Sequence, residues 1–278
     1  MNNNSAIGIF DSGLGGLTVV KALKTLMPKE NIIYLGDTAR VPYGDKSPDT
    51  ILRFGCENAS FLADQKVKLI IAACNTVSSI ALNGIKNNFL KKRIEIPVLG
   101  VLEAGVQAVK EHKFNDVAII GTRATISSRA YEKKLKKISN NMHIRSIACP
   151  LFAPIIEEGL AKHEIAKCAM QYYLNELLKN KPEAILLGCT HYPLLEQPLK
   201  KFFKNEVTII NSASATAIYA KKFLEENNLL FTDSPYESIP DKYFVTDSPE
   251  AFDKHAKNFM GRKVTHIKKA IIDSLHKT

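Results

Sequence analysis

Apolar and polar positions follow two alternating patterns along this chain. Short, nearly continuous apolar runs recur at 6–10 (AIGIF), 31–35 (NIIYL), 68–73 (KLIIAA), 97–101 (PVLGV), 116–120 (DVAII), 143–148, 183–187 (EAILL) and 207–210 (VTII). Runs of this length with so few polar interruptions are the signature of strands buried on both faces. Between them, apolar residues fall three or four apart over 17–27, 49–65, 77–91, 105–111, 127–138, 161–180 and 213–227. That is the helical period. Strands alternating with helices predict an α/β fold whose sheets are mainly parallel and covered on both sides.

The pattern also repeats within the chain. Residues 7–18 (IGIFDSGLGGLT) and 117–128 (VAIIGTRATISS) both read as strand, polar turn and helix start. A similar distance further on, each half reaches a strand that ends in a cysteine and polar residues, IIAACNT at 70–76 and ILLGCTH at 185–191. Duplication of one α/β unit accounts for both pairs. The segment after 210 belongs to neither half and is expected to return to the first. This predicts one domain from 1–100 with 211–278 and a second from 101–210.

Composition narrows the class. A chain of 278 residues with 45% hydrophobic content has room for two domain-sized cores. Its best apolar run, 69–73 (LIIAA), is strand-sized, so no membrane span is expected. The start, MNNNSAIGIF, has neither a basic region nor a signal-like apolar block. The five cysteines (56, 74, 149, 168 and 189) are odd in number and scattered, as in a reducing compartment. These features point to a cytoplasmic protein. The net charge of +10 comes from lysines spread over amphipathic segments such as 131–138, 199–204 and 264–269. With no Arg-rich arm, RNP-like motif or zinc finger, it reads as a solvated basic surface rather than a nucleic-acid site.

Candidate chemistry gathers at strand ends. Cys74 and Cys189 each close an apolar strand and precede polar residues and a helix start, where ligands sit in open α/β folds. Cys56, Cys149 and Cys168 read as small apolar core residues. The turn Asp11-Ser12-Gly13-Leu14-Gly15-Gly16 invites a nucleotide-binding reading and fails it. Thr18 stands where the third glycine of G-x-G-x-x-G belongs, and no P-loop lysine follows. These glycines are expected to let backbone approach a small ligand, with helix amides facing an anion. The loop 37–44 (DTARVPYG) is a second ligand-loop candidate. No C-x-x-C or H-x-x-x-H spacing suggests a metal. Cys189 and His191 invite a peptidase reading, but neighbours on one turn are not expected to pair as nucleophile and base.

Taken together, FDSGLGGLTV (10–19), DTARVPYG (37–44), ACNT (73–76) and GCTHYPLL (188–195) resemble the glutamate racemase family of the Asp/Glu racemase superfamily. The stretch KYFVTDSPEAF (242–252) is similar to that family's C-terminal strand and helix. His191 stands where aspartate racemases carry Glu. One departure is Asn211 in 209–212 (IINS), where the family more often has Asp; Asn caps helices nearly as well.

The resemblance implies two pseudo-symmetric α/β domains with the active site in the cleft between them. It implies interconversion of L- and D-glutamate without cofactor or metal, supplying D-glutamate for peptidoglycan, by a homodimer that binds neither membrane nor nucleic acid. Cys74 takes the Cα proton from D-glutamate and Cys189 from L-glutamate. Asp11 assists near the substrate ammonium and Cys74, and His191 assists beside Cys189. Ser12, Asn75, Thr76 and Thr190, with the amides of Tyr43 and Gly44, hold the two carboxylates. Arg40 is the one arginine in these motifs, so recognition is expected from neutral donors and helix ends. Asp37 and Glu157 are further candidates for tuning acidity. The alternatives are a racemase of another small dicarboxylate such as aspartate, and a basic binding protein with a second, non-catalytic role.

Overall fold

The computed structural model describes residues 3–232 and 240–272. Its strands are β1 (Ile7–Asp11), β2 (Ile32–Gly36), β3 (Leu69–Ala72), β4 (Val98–Gly100), β5 (Asp116–Gly121), β6 (His143–Ala148), β7 (Ala184–Gly188), β8 (Thr208–Ile210), β9 (Lys242–Val245) and β10 (Ile267–Lys269). They form two parallel sheets. One has the order β10-β9-β2-β1-β3-β4 and the other β6-β5-β7-β8. The strands after residue 240 thus join the first sheet. Within each sheet the first four strands run second, first, third, fourth. The chain reverses its winding direction between the first and third strands, the switch point at which such sheets open a crevice beyond their carboxyl ends. β1 and β3 flank that point in one sheet and β5 and β7 in the other.

The helices are α1 (Leu17–Leu26), α2 (Pro48–Asp64), α3 (Asn75–Ile80), α4 (Leu82–Lys91), α5 (Val101–His112), α6 (Arg123–Ser127), α7 (Ala130–Ile138), α8 (Phe152–Glu157), α9 (Glu164–Lys179), α10 (Glu196–Phe202), α11 (Ser212–Glu226) and α12 (Pro249–Met260). Two expected helices are broken. The 77–91 segment divides at Ala81, and 127–138 divides at Arg129, whose φ is +54°. Helix α5 starts at Val101, immediately after β4, rather than near 105. The short α8 and α10 carry Pro154 and Pro198 at their third residues, where an N–H has no intrahelical acceptor to lose. Asn211 does cap α11, accepting from the amides of Ala213 (2.9 Å) and Ser214 (3.2 Å).

Strands β1, β2, β3 and β7 are buried along their whole length, whereas the edge strand β6 is half-exposed. The largest apolar cluster runs through both sheets, from Ile7, Ile9 and Leu17 to Ile120, Ile185 and Leu187. The two units are therefore packed through a shared core rather than tethered. Among the described residues no helix is long and apolar enough to cross a membrane.

Candidate active site

Cys74 follows β3 and caps the start of α3, with its backbone extended (φ −65°, ψ 119°). Its thiol donates to Ser12 Oγ at 3.7 Å. Burial, and then the nearby Asp11 charge, push the thiol up to about 12. Asp11 ends β1 and is fully buried. Its carboxylate accepts from the Gly13 amide at 3.1 Å and from Thr190 Oγ1 at 3.4 Å. Burial raises its pKa more than His191, the Gly16 and Gly13 amides and Thr190 lower it.

The other cysteine has different neighbours. Cys189 follows β7, and its sulfur is 3.8 Å from His191 Nδ1. The expectation that two residues on one turn do not pair is thus corrected. The chain bends into a 3₁₀ turn over Tyr192–Leu195, and His191 at its start keeps helical dihedrals that bring the ring back over the sulfur. On its far side, His191 Nε2 lies 2.7 Å from Glu157 Oε1, on α8. Burial alone favours a neutral ring. The contacts with Cys189 and Glu157 prevail and carry His191 up to about 10. Glu157 moves the opposite way: its own partial burial opposes the shift, and the His191 contact holds it below the usual carboxylate range.

Both thiols open onto one cavity of about 710 Å³. Ser12, Tyr43, Gly44, Asn75, Thr76, Thr190, His191 and Glu157 line it as well. Asp11 does not; it sits behind the wall, beneath Gly13 and Thr190. Asp37 also stays outside. It is buried among Arg40, Tyr43, Asn58 and Thr246, and the Tyr43 hydroxyl donates to it. Arg40 is turned away from the cavity, bonded to Asp37, Glu57 and Asn58. It braces the 37–44 loop from behind.

Several contacts join the two units at the cavity. Thr76 Oγ1 lies 3.1 Å from Thr122 Oγ1, and Tyr131 Oη donates to Asn75 Oδ1 at 2.6 Å. Thr18 Oγ1 donates to the Thr190 carbonyl at 2.9 Å. Of the first-turn glycines, Gly15 and Gly16 serve this packing, while Gly13 lines the cavity. A Cβ on Gly15 would lie 2.3 Å from Thr190 Oγ1, and one on Gly16 would lie 2.5 Å from the Asp11 Cβ. Only backbone fits there.

Thr122, Arg123, Leu151, Tyr172 and Tyr173 line the cavity without having been singled out from sequence. The internal repeat carried a signal for one of them, because Thr122 occupies in 117–128 the place of Ser12 in 7–18. Arg123 lies outside the motifs that carry the resemblance. It is an exposed cation on the cavity wall, 3.7 Å from Asp45. Among the described residues, no group of three or more His, Cys, Asp or Glu is placed to hold a metal ion.

Two α/β units meeting at paired strand-end thiols define a class. The profile of the Asp/Glu/hydantoin racemase family matches residues 17–220. The glutamate racemase of Geobacter metallireducens is 42% identical over 263 residues, covering 94% of this chain and 95% of that protein. That of Aquifex pyrophilus is 46% identical over 233 residues, covering 82% and 88%. The crystal structure of Francisella tularensis glutamate racemase in complex with D-glutamate superposes with a TM-score of 0.89 at 38% identity, covering 98% of this chain and 99% of that one. The chain belongs to the glutamate racemase family.

Proposed function

We propose that this protein interconverts L- and D-glutamate by proton transfer between Cα and two thiols. The observation that carries the reading is that Cys74 and Cys189 occupy equivalent strand ends in two sheets of like order and line the same cavity. Inversion needs a base on one face of Cα and an acid on the other. A Cys189 thiolate takes the proton of L-glutamate, leaving its electron pair on Cα and in the α-carboxylate. The Cys74 thiol then delivers its proton to the opposite face, giving D-glutamate and a Cys74 thiolate. The D-to-L direction retraces these steps. His191 is placed to exchange a proton with Cys189, and its cationic form faces charge developing on that sulfur. Asp11 acts on Cys74 from behind the wall.

Ser12, Asn75, Thr76, Thr190 and the Tyr43 and Gly44 amides are assigned to the substrate carboxylates. Asn75 supports this directly, since its Nδ2 is buried in the wall with no partner. Such a donor suits an anionic acceptor. The reading assigns no step to a metal or cofactor. The family further implies a cytoplasmic homodimer that supplies D-glutamate to peptidoglycan synthesis. The deciding experiment is exchange of the glutamate Cα proton in D₂O after dialysis against chelator, with aspartate run in parallel. Exchange and racemisation of glutamate are expected. Absence of both, or preference for aspartate, overturns the reading.

A further inference from the structure

We propose that Tyr131 is a positioning residue for substrate, whose hydroxyl decides which end of the Asn75 amide faces the cavity. Asn75 belongs to the unit built on the first sheet and Tyr131, on α7, to the unit built on the second. Both are 2% exposed. The Tyr131 ring is held in place by backbone: Cβ atoms added to Gly105 and Gly188 would lie 3.3 and 3.5 Å from it. From there its hydroxyl reaches Asn75 Oδ1 at 2.6 Å. That length suits O–H···O, for which separations near 2.7–2.8 Å are usual, better than N–H···O at about 2.9–3.0 Å.

The amide has two unlike ends, and one of them is now committed. With Oδ1 held by Tyr131, Nδ2 is the end left over, buried and without a partner. Tyr131 itself is absent from the cavity lining, so it acts through Asn75. Burial, and then the charges of Glu103 and Cys189, raise its pKa, so the hydroxyl keeps the proton it donates. Without that hydroxyl the amide is free to turn, and a turned amide presents an oxygen to a carboxylate. The inference rests on the assignment of Asn75 as a carboxylate donor.

The test uses the full chain as wild type, Tyr131→Phe, Asn75→Ala and the double variant, with glutarate as the probe. Tyr131→Phe is expected to weaken glutarate binding, measured by calorimetry, about tenfold, the effect of one lost bond to a charged ligand. KM should rise by a similar factor for both enantiomers of glutamate while kcat stays within about twofold. In the Asn75→Ala background, Tyr131→Phe should cause no further loss. Asn75→Asp keeps the Tyr131 contact but offers oxygen to the cavity, and so should bind glutarate more weakly than Asn75→Ala. Wild-type affinity in Tyr131→Phe overturns the proposal. So does an equal loss with and without Asn75, or binding by Asn75→Asp as tight as by Asn75→Ala. Glutarate binding reads the contact independently of turnover, so a wild type that fails to racemise counts against the activity and leaves this result to stand or fall alone.

Discussion

The two thiols occupy matching places, after the third strand of each sheet, yet their surroundings carry opposite charge. Behind Cys74 lies Asp11, a buried carboxylate that together with burial keeps the thiol protonated. Beside Cys189 lies His191, held cationic by Glu157 and the sulfur. Strand order sets the positions of the sulfurs, and a few side chains on neighbouring turns set their electrostatics. A like scaffold thus gives two thiols unlike neighbours without distinct folds. On the proposed mechanism this is an asymmetry of neighbours, not of nucleophiles.

The strongest challenge is removal of either sulfur. Cys74→Ser and Cys189→Ser are each expected to lower racemisation by about 10²–10⁴-fold, the usual contribution of a positioned acid or base. Circular dichroism of glutamate follows the rate, and the protein's far-ultraviolet spectrum checks the fold. Wild-type turnover by either variant ends the two-thiol reading.

Next come the neighbours themselves. His191→Asn should slow abstraction from L-glutamate by about 10²-fold, and Asp11→Asn should do the same for D-glutamate. Net kcat/KM values are tied together by the equilibrium constant, so the separate directions must be read from primary isotope effects with α-deuterated L- and D-glutamate. Equal isotope effects in both directions for wild type and both variants would remove the pairing of each neighbour with one thiol.

A smaller shift should follow from Glu157→Gln. Losing an anionic partner lowers the His191 pKa from about 10, so the alkaline limb of kcat/KM moves to lower pH. Each unit of movement is about a tenfold loss on that limb. An unmoved limb would show that Glu157 does not hold the His191 proton.

The smallest effect is on stability. The folded Asp11 pKa is raised, so ionising this residue disfavours the folded state. Asp11→Asn, though impaired in catalysis, should therefore unfold at a higher temperature at neutral pH. The gain should vanish below the usual Asp value of 3.8, where both states hold the proton, and grow as pH rises through the folded value. Calorimetry at acid and neutral pH checks the sign.

Much of the architecture is legible in the pattern of apolar runs. The first eight strands lie at the apolar runs of the sequence because burial on both faces demands runs of that kind. His143–Ala148 was found at its full length even as a half-exposed edge. The ACNT and GCTH pieces located both thiols, since strand ends in such folds face the crevice whatever the packing around them. Local signals failed where local preference was overridden. The helical period across 77–91 hides the break at Ala81, and nothing in Ser128-Arg129 announces a left-handed residue. The short helices carrying Pro154 and Pro198 have no counterpart among the predicted helical segments.

What the amino-acid order determined by itself was the alternation of strand and helix, the repeat, and the chemical inventory at the turns. These follow from periodicity and residue type, which are properties of neighbours along the chain. Only the tertiary structure decided that Asp11 lies behind the wall, that Arg40 faces Asp37 instead of the cavity, and that Tyr131 reaches Asn75 across the two units. Burial, and with it the direction of each pKa shift, depends on which surfaces meet. Residues 56 positions apart become hydrogen-bond partners only when two sheets share one core.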